Sequence, residues 1–300
     1  MNKLVSTFLF STIAFCSVAQ VKVQNLHTEN LTNPVGLDEA KPHLSWQLVS
    51  DKRNILQTAY EIHVSESATS LSKGDVWNTG KVTSDQSIHI TYSGQPLKPK
   101  QRYFWQVRVW DNSGKASAWS EVVYWETGLM NSSNWKAKWI ESGLEGDVVT
   151  GPAPMLRKKF ELTKAVKSAR VYVTAHGLYE AQINGQRVGD SYLTPGWTSY
   201  KTRLQYQVYD VTTSLKQGSN AIGVQLGDGW YRGFLAWEDN KNIYGKDVAL
   251  LLQLEVTYAD GTAETIISDE SWRSAFGPIQ SSQIYHGEIY DARLEKTGWS

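Results

Sequence analysis

The sequence contains almost no cysteine. Cys16 is the only one among 300 residues, so neither a disulfide framework nor a thiolate metal site is available and packing must supply the stability. An excess of either charge is also lacking, because 30 acidic and 30 basic residues cancel. This balance argues against nucleic acid and anionic lipid as partners. After the first twenty residues, no apolar run approaches the roughly 18 residues that span a bilayer.

The first nineteen residues have the pattern of a secretory signal peptide. Lys3 supplies the positive start, residues 4–14 are largely apolar, and Ser17-Val18-Ala19 fits the small-x-small cleavage rule. The pattern predicts a signal peptide over residues 1–19 and export to the periplasm, the cell surface or the medium. Lipid attachment at Cys16 is the alternative, although Phe15 is too bulky for a good lipoprotein cleavage site.

Aromatic residues are in excess, with 13 Trp and 15 Tyr against 7 Phe. The rings of Trp and Tyr combine flat apolar faces with a polar edge, which suits both sandwich cores and stacking on the C–H faces of sugars. Core packing accounts for most of them. Only the aromatic residues in predicted loops are therefore candidates for ligand contact.

Alternation with a period of two recurs about every ten residues, whereas helical periodicity is nearly absent. Residues 103–109 place Tyr, Trp, Val and Val at alternate positions, on one face of a strand. Asn184-Gly185 lies between two extended segments and is a strong hairpin signal. Because 300 residues exceed the usual single domain, these patterns predict an all-β protein with two antiparallel β-sandwich domains.

The first predicted domain covers residues 24–128. Residues 97–103 (Leu-Lys-Pro-Lys-Gln-Arg-Tyr), the alternating segment after them and the turn at residues 111–114 resemble the fibronectin type III pattern, in which a tyrosine corner precedes a long central strand. The resemblance implies a fibronectin type III-like sandwich. Such domains are spacers far more often than ligand sites, so we expect a scaffold role.

A denser set of motifs lies between residues 135 and 300, the second predicted domain. In chain order they are Gly177-Leu178-Tyr179-Glu180, Ile183-Asn184-Gly185, Val188-Gly189-Asp190, Leu193-Thr194-Pro195-Gly196-Trp197, Tyr200, Tyr209-Asp210-Val211-Thr212, Leu226-Gly227-Asp228-Gly229-Trp230-Tyr231-Arg232-Gly233 and Gly287-Glu288-Ile289-Tyr290-Asp291-Ala292-Arg293. Together they resemble the N-terminal jelly-roll domain of family 78 bacterial α-L-rhamnosidases.

The resemblance implies a larger glycoside hydrolase that removes terminal α-linked L-rhamnose with inversion from plant glycans or glycosides, using carboxylates on an α/α toroid farther along the chain. The 300 residues hold no such helical region, so we expect the catalytic domain to be absent, assign no catalytic residue and expect the chain alone to be inactive. The implied partners are a rhamnose-containing glycan and the missing downstream catalytic domain.

Two predicted loops in the second domain carry candidates for carbohydrate contact. Glycines at positions 227, 229 and 233 permit a tight loop with positive φ angles that opens no helix, and its aromatic pair either faces solvent or packs in the core. The loop at residues 237–244 combines aromatic rings with carboxylate and amide groups. The candidates are Trp230, Tyr231, Trp237, Asp239 and Asn240.

Asp239, Asn240 and Asn242 are weak calcium candidates, because hard cations take several oxygen ligands. A solvated turn explains the same composition. Some rhamnosidase front ends resemble a calcium-dependent rhamnose-binding module that carries an adjacent Asp-Asn pair ahead of the Asn-Gly hairpin, whereas this chain has His176-Gly177 there. We therefore predict no cofactor.

Three functions fit these patterns. The chain is the non-catalytic leading portion of a secreted α-L-rhamnosidase with a scaffold or substrate-recognition role, or a stand-alone carbohydrate-binding protein, or a secreted adhesion or structural protein built of sandwiches. We favour the first, because the two resemblances together account for nearly the whole sequence after residue 24.

We expect the exported product to begin at Gln20, because Ser17-Val18-Ala19 is the only well-formed cleavage site near the end of the leader. Mass spectrometry of secreted material should show a polypeptide that lacks residues 1–19. An intact leader, or a lipid on Cys16, would contradict this prediction.

Overall fold

The computed structural model describes residues 21–237 and 239–300, and the predicted signal peptide lies outside this range. The described residues form two compact units that divide between Thr127 and Gly128. Both units are built from strands, and the α-helix of the described part has four residues. The all-β class predicted from the sequence is confirmed. Within the described ranges no helix is long and apolar enough to cross a membrane.

The first unit is a sandwich of two sheets. Its strands are β1 (Lys22–Thr28), β2 (Val35–Leu37), β3 (His43–Val49), β4 (Gln57–Ser65), β5 (Trp77–Asn78), β6 (Val82–Thr83), β7 (Ile90–Thr91), β8 (Arg102–Asp111) and β9 (Val123–Thr127). One sheet has the order β1-β3-β7, and the other has the order β2-β9-β8-β4-β5, with β6 also paired to β4. The pairs are antiparallel, except that β2 runs parallel to β9. A 3-10 turn covers Leu71–Lys73.

Aromatic rings dominate the core of the first unit. Every second side chain of β8 is buried, which confirms the alternation predicted for residues 103–109. Tyr103 stacks on Trp125 with ring centroids 5.4 Å apart. Its hydroxyl accepts a hydrogen bond from the backbone N–H of Lys98 at 2.8 Å, the geometry of a tyrosine corner. This bond ties the loop before β8 to the core.

The second unit contains the remaining strands and the short helix. They are β10 (Ile140–Glu141), β11 (Pro154–Leu162), β12 (Val166–His176), β13 (Leu178–Ile183), β14 (Gln186–Arg187), β15 (Gln207–Asp210), β16 (Gly218–Gly227), α1 (Gly229–Arg232), β17 (Ala249–Tyr258), β18 (Ala263–Ile267), β19 (Arg273–Phe276), β20 (Ile279–Gln283) and β21 (Gly287–Tyr290). Further 3-10 turns cover Ser132–Asn134, Thr212–Ser214 and Ala292–Leu294.

Two five-stranded antiparallel sheets enclose the core of the second unit. One has the order β10-β17-β12-β15, with β18 paired to β17, and the other has the order β14-β13-β16-β11-β19. The core consists mainly of buried aliphatic residues from both sheets, among them Val171, Val224 and Leu252. β20 and β21 form a separate hairpin. Strands β10 and β19 are edges of their sheets.

The hairpin predicted at Asn184-Gly185 is confirmed, and it joins β13 to β14. Asn184 has φ 51° and Gly185 has φ 79°, so both central residues of this two-residue turn have left-handed backbone. That geometry defines a type I′ turn, whose twist matches the twist of the flanking strands. The Asn184 side-chain amide also donates to the side-chain oxygen (Oδ1) of Asn220 at 2.9 Å, which fixes the turn to β16.

Candidate functional site

Residues 226–233 form a strand end and one helical turn, α1, whereas the sequence predicted a tight loop that opens no helix. Gly229 has φ 53°, so it needs the conformational freedom of glycine. Gly227 and Gly233 do not have positive φ, and the expectation that all three glycines supply it was wrong. Gly233 instead permits close packing, because a Cβ there would lie 2.4 Å from the Gly229 carbonyl oxygen.

A buried ion-pair network supports α1. The Arg232 guanidinium donates from Nε to Asp228 Oδ1 at 2.6 Å and from Nη1 to Asp147 Oδ1 at 2.7 Å. The other Asp228 oxygen accepts from the Gln283 side-chain amide and from the Thr150 backbone N–H. Segments that are far apart in sequence therefore meet at one helical turn.

The electrostatics of this network are those of a desolvated pair. The side chains of Arg232 and Asp228 are 1% and 3% exposed. Burial raises the pKa of the Asp228 carboxyl, and the Arg232 guanidinium opposes that rise. Asp147, which is less buried, receives a further hydrogen bond from the Ser142 hydroxyl at 2.8 Å. The carboxylates around Arg232 are thus engaged in structure.

Tyr231 projects from α1 into a stack of rings. It lies parallel to His176, with centroids 4.6 Å apart, and Trp139 covers the imidazole at 4.1 Å. Tyr200 meets Tyr231 edge-on at 5.4 Å. Burial lowers the pKa of His176 and raises that of Tyr231, so both rings are neutral near pH 7. Tyr231 is therefore half-buried among rings rather than presented to solvent.

The loop between β14 and β15 presents Trp197. Thr194 anchors this loop to β13, because its hydroxyl donates to the Tyr179 carbonyl at 3.0 Å and its carbonyl accepts from the Tyr179 backbone N–H at 2.9 Å. Gly196, with φ 98°, closes the turn before the tryptophan. The Trp197 indole N–H donates to the Tyr244 hydroxyl at 3.2 Å. The indole is thereby fixed while 55% of the residue surface stays exposed.

Trp230, the other aromatic residue of α1, lies against Trp197. The two indole planes are within 6° of parallel, and their centroids are 5.8 Å apart, an offset stack. Together with the stack described above, they form a set of rings that we call the aromatic loop cluster. Its members are Trp139, His176, Trp197, Tyr200, Trp230, Tyr231 and Tyr244.

Trp237, Asp239 and Asn240 share one exposed turn in the loop after α1. Trp237 is 84% exposed. The Asn240 side-chain amide donates to the Trp237 carbonyl at 2.7 Å, and its backbone carbonyl accepts from the N–H of buried Leu235 at 2.8 Å. The turn is thus closed by its own hydrogen bonds, and the Trp237 side chain points away from the core.

The weak calcium candidates lie on the same loop, with positive φ at Asp239 and Asn242. Asn242 is bonded through its backbone N–H to the Arg232 carbonyl at 2.9 Å. Over residues 21–237 and 239–300, no three His, Cys, Asp or Glu side chains cluster in a way that could hold a metal ion.

The structure therefore divides the five predicted residues into two groups. Trp230 and Tyr231 belong to the aromatic loop cluster, whereas Trp237, Asp239 and Asn240 lie on the exposed turn. Sequence reasoning missed the rings that surround Tyr231 and Trp230. The signal was present, because Trp197 and Tyr200 belong to the motifs that resemble the rhamnosidase domain and His176 departs from the pattern of the rhamnose-binding module. It did not indicate that these rings would meet.

Two family models match the chain. Residues 164–300 match the α-L-rhamnosidase N-terminal domain, and residues 23–131 match the Rha78A-like N-terminal immunoglobulin domain. Immunoglobulin and fibronectin type III domains share the sandwich architecture that the sequence predicts for the first unit. The fold is that of two successive β-sandwich units. More particularly, the chain belongs to the N-terminal region of the family 78 α-L-rhamnosidases.

The individual relatives agree. An α-L-rhamnosidase of Formosa agariphila is 41% identical over 98% of this chain and 33% of that protein, and one of Streptomyces avermitilis is 32% identical over 94% and 44%. The crystal structure of the Streptomyces avermitilis α-L-rhamnosidase complexed with L-rhamnose matches with a TM-score of 0.88 at 32% identity, over 93% of this chain and 43% of that one. The structure of the α-L-rhamnosidase from Dictyoglumus thermophilum matches with a TM-score of 0.86 at 43% identity, over 93% of this chain and 32% of that one. The chain thus spans a third to less than half of the curated relatives' length.

The network around Arg232 yields a stability prediction. In Arg232→Met the carboxylates of Asp228 and Asp147 keep their buried positions without a cation, so the free energy of unfolding should fall by about 3–5 kcal/mol. Urea denaturation followed by tryptophan fluorescence measures the change. Arg293→Met is the matched control, because Arg293 pairs with Asp291 at the surface, and it should leave the midpoint nearly unchanged. Equal midpoints for Arg232→Met and the unmutated chain would show that the network contributes little.

Proposed function

We propose that the chain is the non-catalytic N-terminal portion of a secreted α-L-rhamnosidase and that its second unit helps to recognise rhamnose-containing glycan. The observation that carries the recognition role is the exposure of two indoles, those of Trp197 and Trp237. Hydrogen bonds within the second unit fix the loops that carry them. The crystal structure of the similar Streptomyces avermitilis enzyme was obtained in complex with L-rhamnose, which supports rhamnose as the sugar recognised. Partial coverage of every curated relative quoted above supports the accessory role.

The contact surface that we propose combines apolar and polar groups. The C–H face of a sugar ring would lie on an exposed indole, and the side chains of Asp239 and Asn240 would take its hydroxyls, the usual division of labour in small-molecule sites. Trp230 would support Trp197 from behind. Tyr231 would position α1, because one face of its ring is already occupied by His176.

We propose the domain boundaries 24–128 and 135–300, with a scaffold role for the first domain. Three of the six tryptophans of the first unit support this role, because Trp46, Trp105 and Trp125 are at most 2% exposed and serve its core. A buried indole is unavailable to a sugar. The proposal therefore assigns glycan contact to the second domain alone.

Titration with L-rhamnose tests the recognition role. We expect weak binding in the millimolar to micromolar range, because a monosaccharide offers only about a dozen heavy atoms. Trp237→Ala and Trp197→Ala should each weaken it, since each removes a stacking face. Tyr285→Ala is the control, because Tyr285 is 57% exposed but lies outside both loops. Calorimetry with and without calcium supplies the measurement.

Two outcomes would overturn the recognition role. The first is the absence of any heat with rhamnose or rhamnogalacturonan fragments at millimolar concentration. The second is binding that Tyr285→Ala weakens as much as Trp237→Ala does. In either case the second unit would be a scaffold like the first.

We also expect the isolated chain to release no rhamnose from aryl α-L-rhamnosides. Glycoside hydrolysis needs a carboxyl pair that flanks the substrate, whereas Asp228 is buried against Arg232 and Glu288 lies exposed on the β20–β21 hairpin. A chromogenic rhamnoside assay on purified protein provides the measurement. Turnover that persists through purification and disappears in Asp228→Asn or Glu288→Gln would refute the expectation.

A further inference from the structure

Edge strand β19 borders three cavities of the second unit, and Arg273 lines all of them. The largest has a volume of about 350 Å³ and is lined by Arg157, Lys158, Lys159, Ser271 and Arg273. The second, of about 340 Å³, lies on the Trp139 and Trp272 side, and the third, of about 70 Å³, on the Trp299 side. The larger two fall within the range of about 300–1,000 Å³ that is typical of small-molecule sites.

The strand register places two arginines side by side. Arg157 of β11 pairs directly with Arg273 of β19, and like charges at such positions repel each other. In the part of the chain that the structure describes, neither guanidinium has a carboxylate within 4.0 Å. The Arg157 Nε is buried and has no hydrogen-bond partner among the described residues. An unpaired buried donor of this kind is costly unless something binds it.

The end of β19 leaves a notch beside these arginines. β19 begins at Arg273, so β11 continues past it toward Lys159 without a partner strand on that side. Lys158 is accounted for, because its ammonium contacts Asp269 at 3.0 Å and the Ile267 carbonyl at 3.1 Å. Lys159 forms no ion pair with any described residue. The residues that line this cavity include the cationic side chains of Arg157, Lys159 and Arg273 and no carboxylate, while Asp269 beside it is paired with Lys158. Asp269, Glu270 and Glu141 line the neighbouring cavity on the Trp139 side.

An aromatic ring borders the same arginines. Trp299 lies over β16 at Gly223, where a Cβ would come 2.4 Å from the indole, so glycine is required for this packing. Trp299 and Lys296 line the smallest cavity together with Arg157 and Arg273. We call the surface lined by Arg157, Lys159, Arg273, Lys296 and Trp299 the groove. It places an apolar ring next to a pair of cationic side chains.

We propose that this groove binds the anionic group of an acidic sugar, a uronate carboxylate or a sulfate ester, through Arg157 and Arg273. Guanidinium groups present N–H forks that match such oxyanions, and a bound anion cancels the repulsion between the two arginines. Lys159 adds a point charge, and the Trp299 indole lies against the sugar ring. The site shares no residue with the exposed turn at Trp237, and it does not depend on the proposed rhamnose contact.

NMR titration of the purified chain with D-glucuronate tests the proposal, with D-glucose as the matched neutral sugar. Glucuronate should bind at low salt with shifts confined to β11, β19 and Trp299, and about tenfold more tightly than glucose or acetate. Arg273→Gln should weaken glucuronate binding about tenfold, and Arg157→Gln should act in the same direction. Arg293→Gln is the control, because it removes an exposed arginine that pairs with Asp291.

Several results would overturn the proposal. If glucose bound as tightly as glucuronate, the anionic group would not be what the groove recognises. If acetate bound as tightly as glucuronate, the sugar ring would contribute nothing to recognition. The Arg273 side chain is exposed, so its replacement leaves the core intact. If Arg273→Gln kept the full affinity for glucuronate, the groove would not be the binding site. Binding of poly-L-glutamate without glucuronate would assign the groove to an acidic protein segment. Rhamnose binding should persist in Arg273→Gln and glucuronate binding in Trp237→Ala, so failure at one site is distinguishable from failure at the other.

Discussion

In the second unit, helix α1 and the loop that follows it are held by one guanidinium, that of Arg232. A helical turn of four residues does not persist in water without tertiary support, because nucleation costs more than one turn of hydrogen bonds returns. Here Asp228 and Asp147 hold the two sides of the guanidinium, and Gln283 secures Asp228 from β20. The positions of Trp230 and Tyr231 depend on this network. The loop that follows is also attached to it, through the bond from the Asn242 N–H to the Arg232 carbonyl.

The aromatic residues serve different purposes in the two units. In the first, Tyr103 and Trp125 stack inside the sandwich and are almost fully buried. In the second, the buried core is mainly aliphatic, and the rings gather on the loops around His176. Because burial lowers the pKa of His176, the unfolded chain binds the proton first as the pH falls below about 6.5. Stability from this stack is therefore present above that pH and declines below it.

Much of the fold could be predicted from local pattern. The alternation along β8, the tyrosine corner at Tyr103 and the hairpin at Asn184-Gly185 each depend on residues close together in sequence, and each is confirmed. The glycines near α1 were harder to interpret. Their number indicated a special backbone, but a glycine needed for positive φ, such as Gly229, looks the same in sequence as one needed for close packing, such as Gly233.

The sequence by itself determined the all-β class, the two-sandwich organisation and the resemblance to the rhamnosidase N-terminal region, because strand periodicity, turn chemistry and motif order are local properties. The tertiary structure alone decided that Trp139, His176 and Tyr231 stack, and that Arg157 of β11 pairs with Arg273 of the neighbouring strand β19. These contacts join residues that are tens to more than a hundred positions apart. A shift of one residue in register would send each of those strand side chains to the opposite face of its sheet, so only the assembled sheets settle which groups meet.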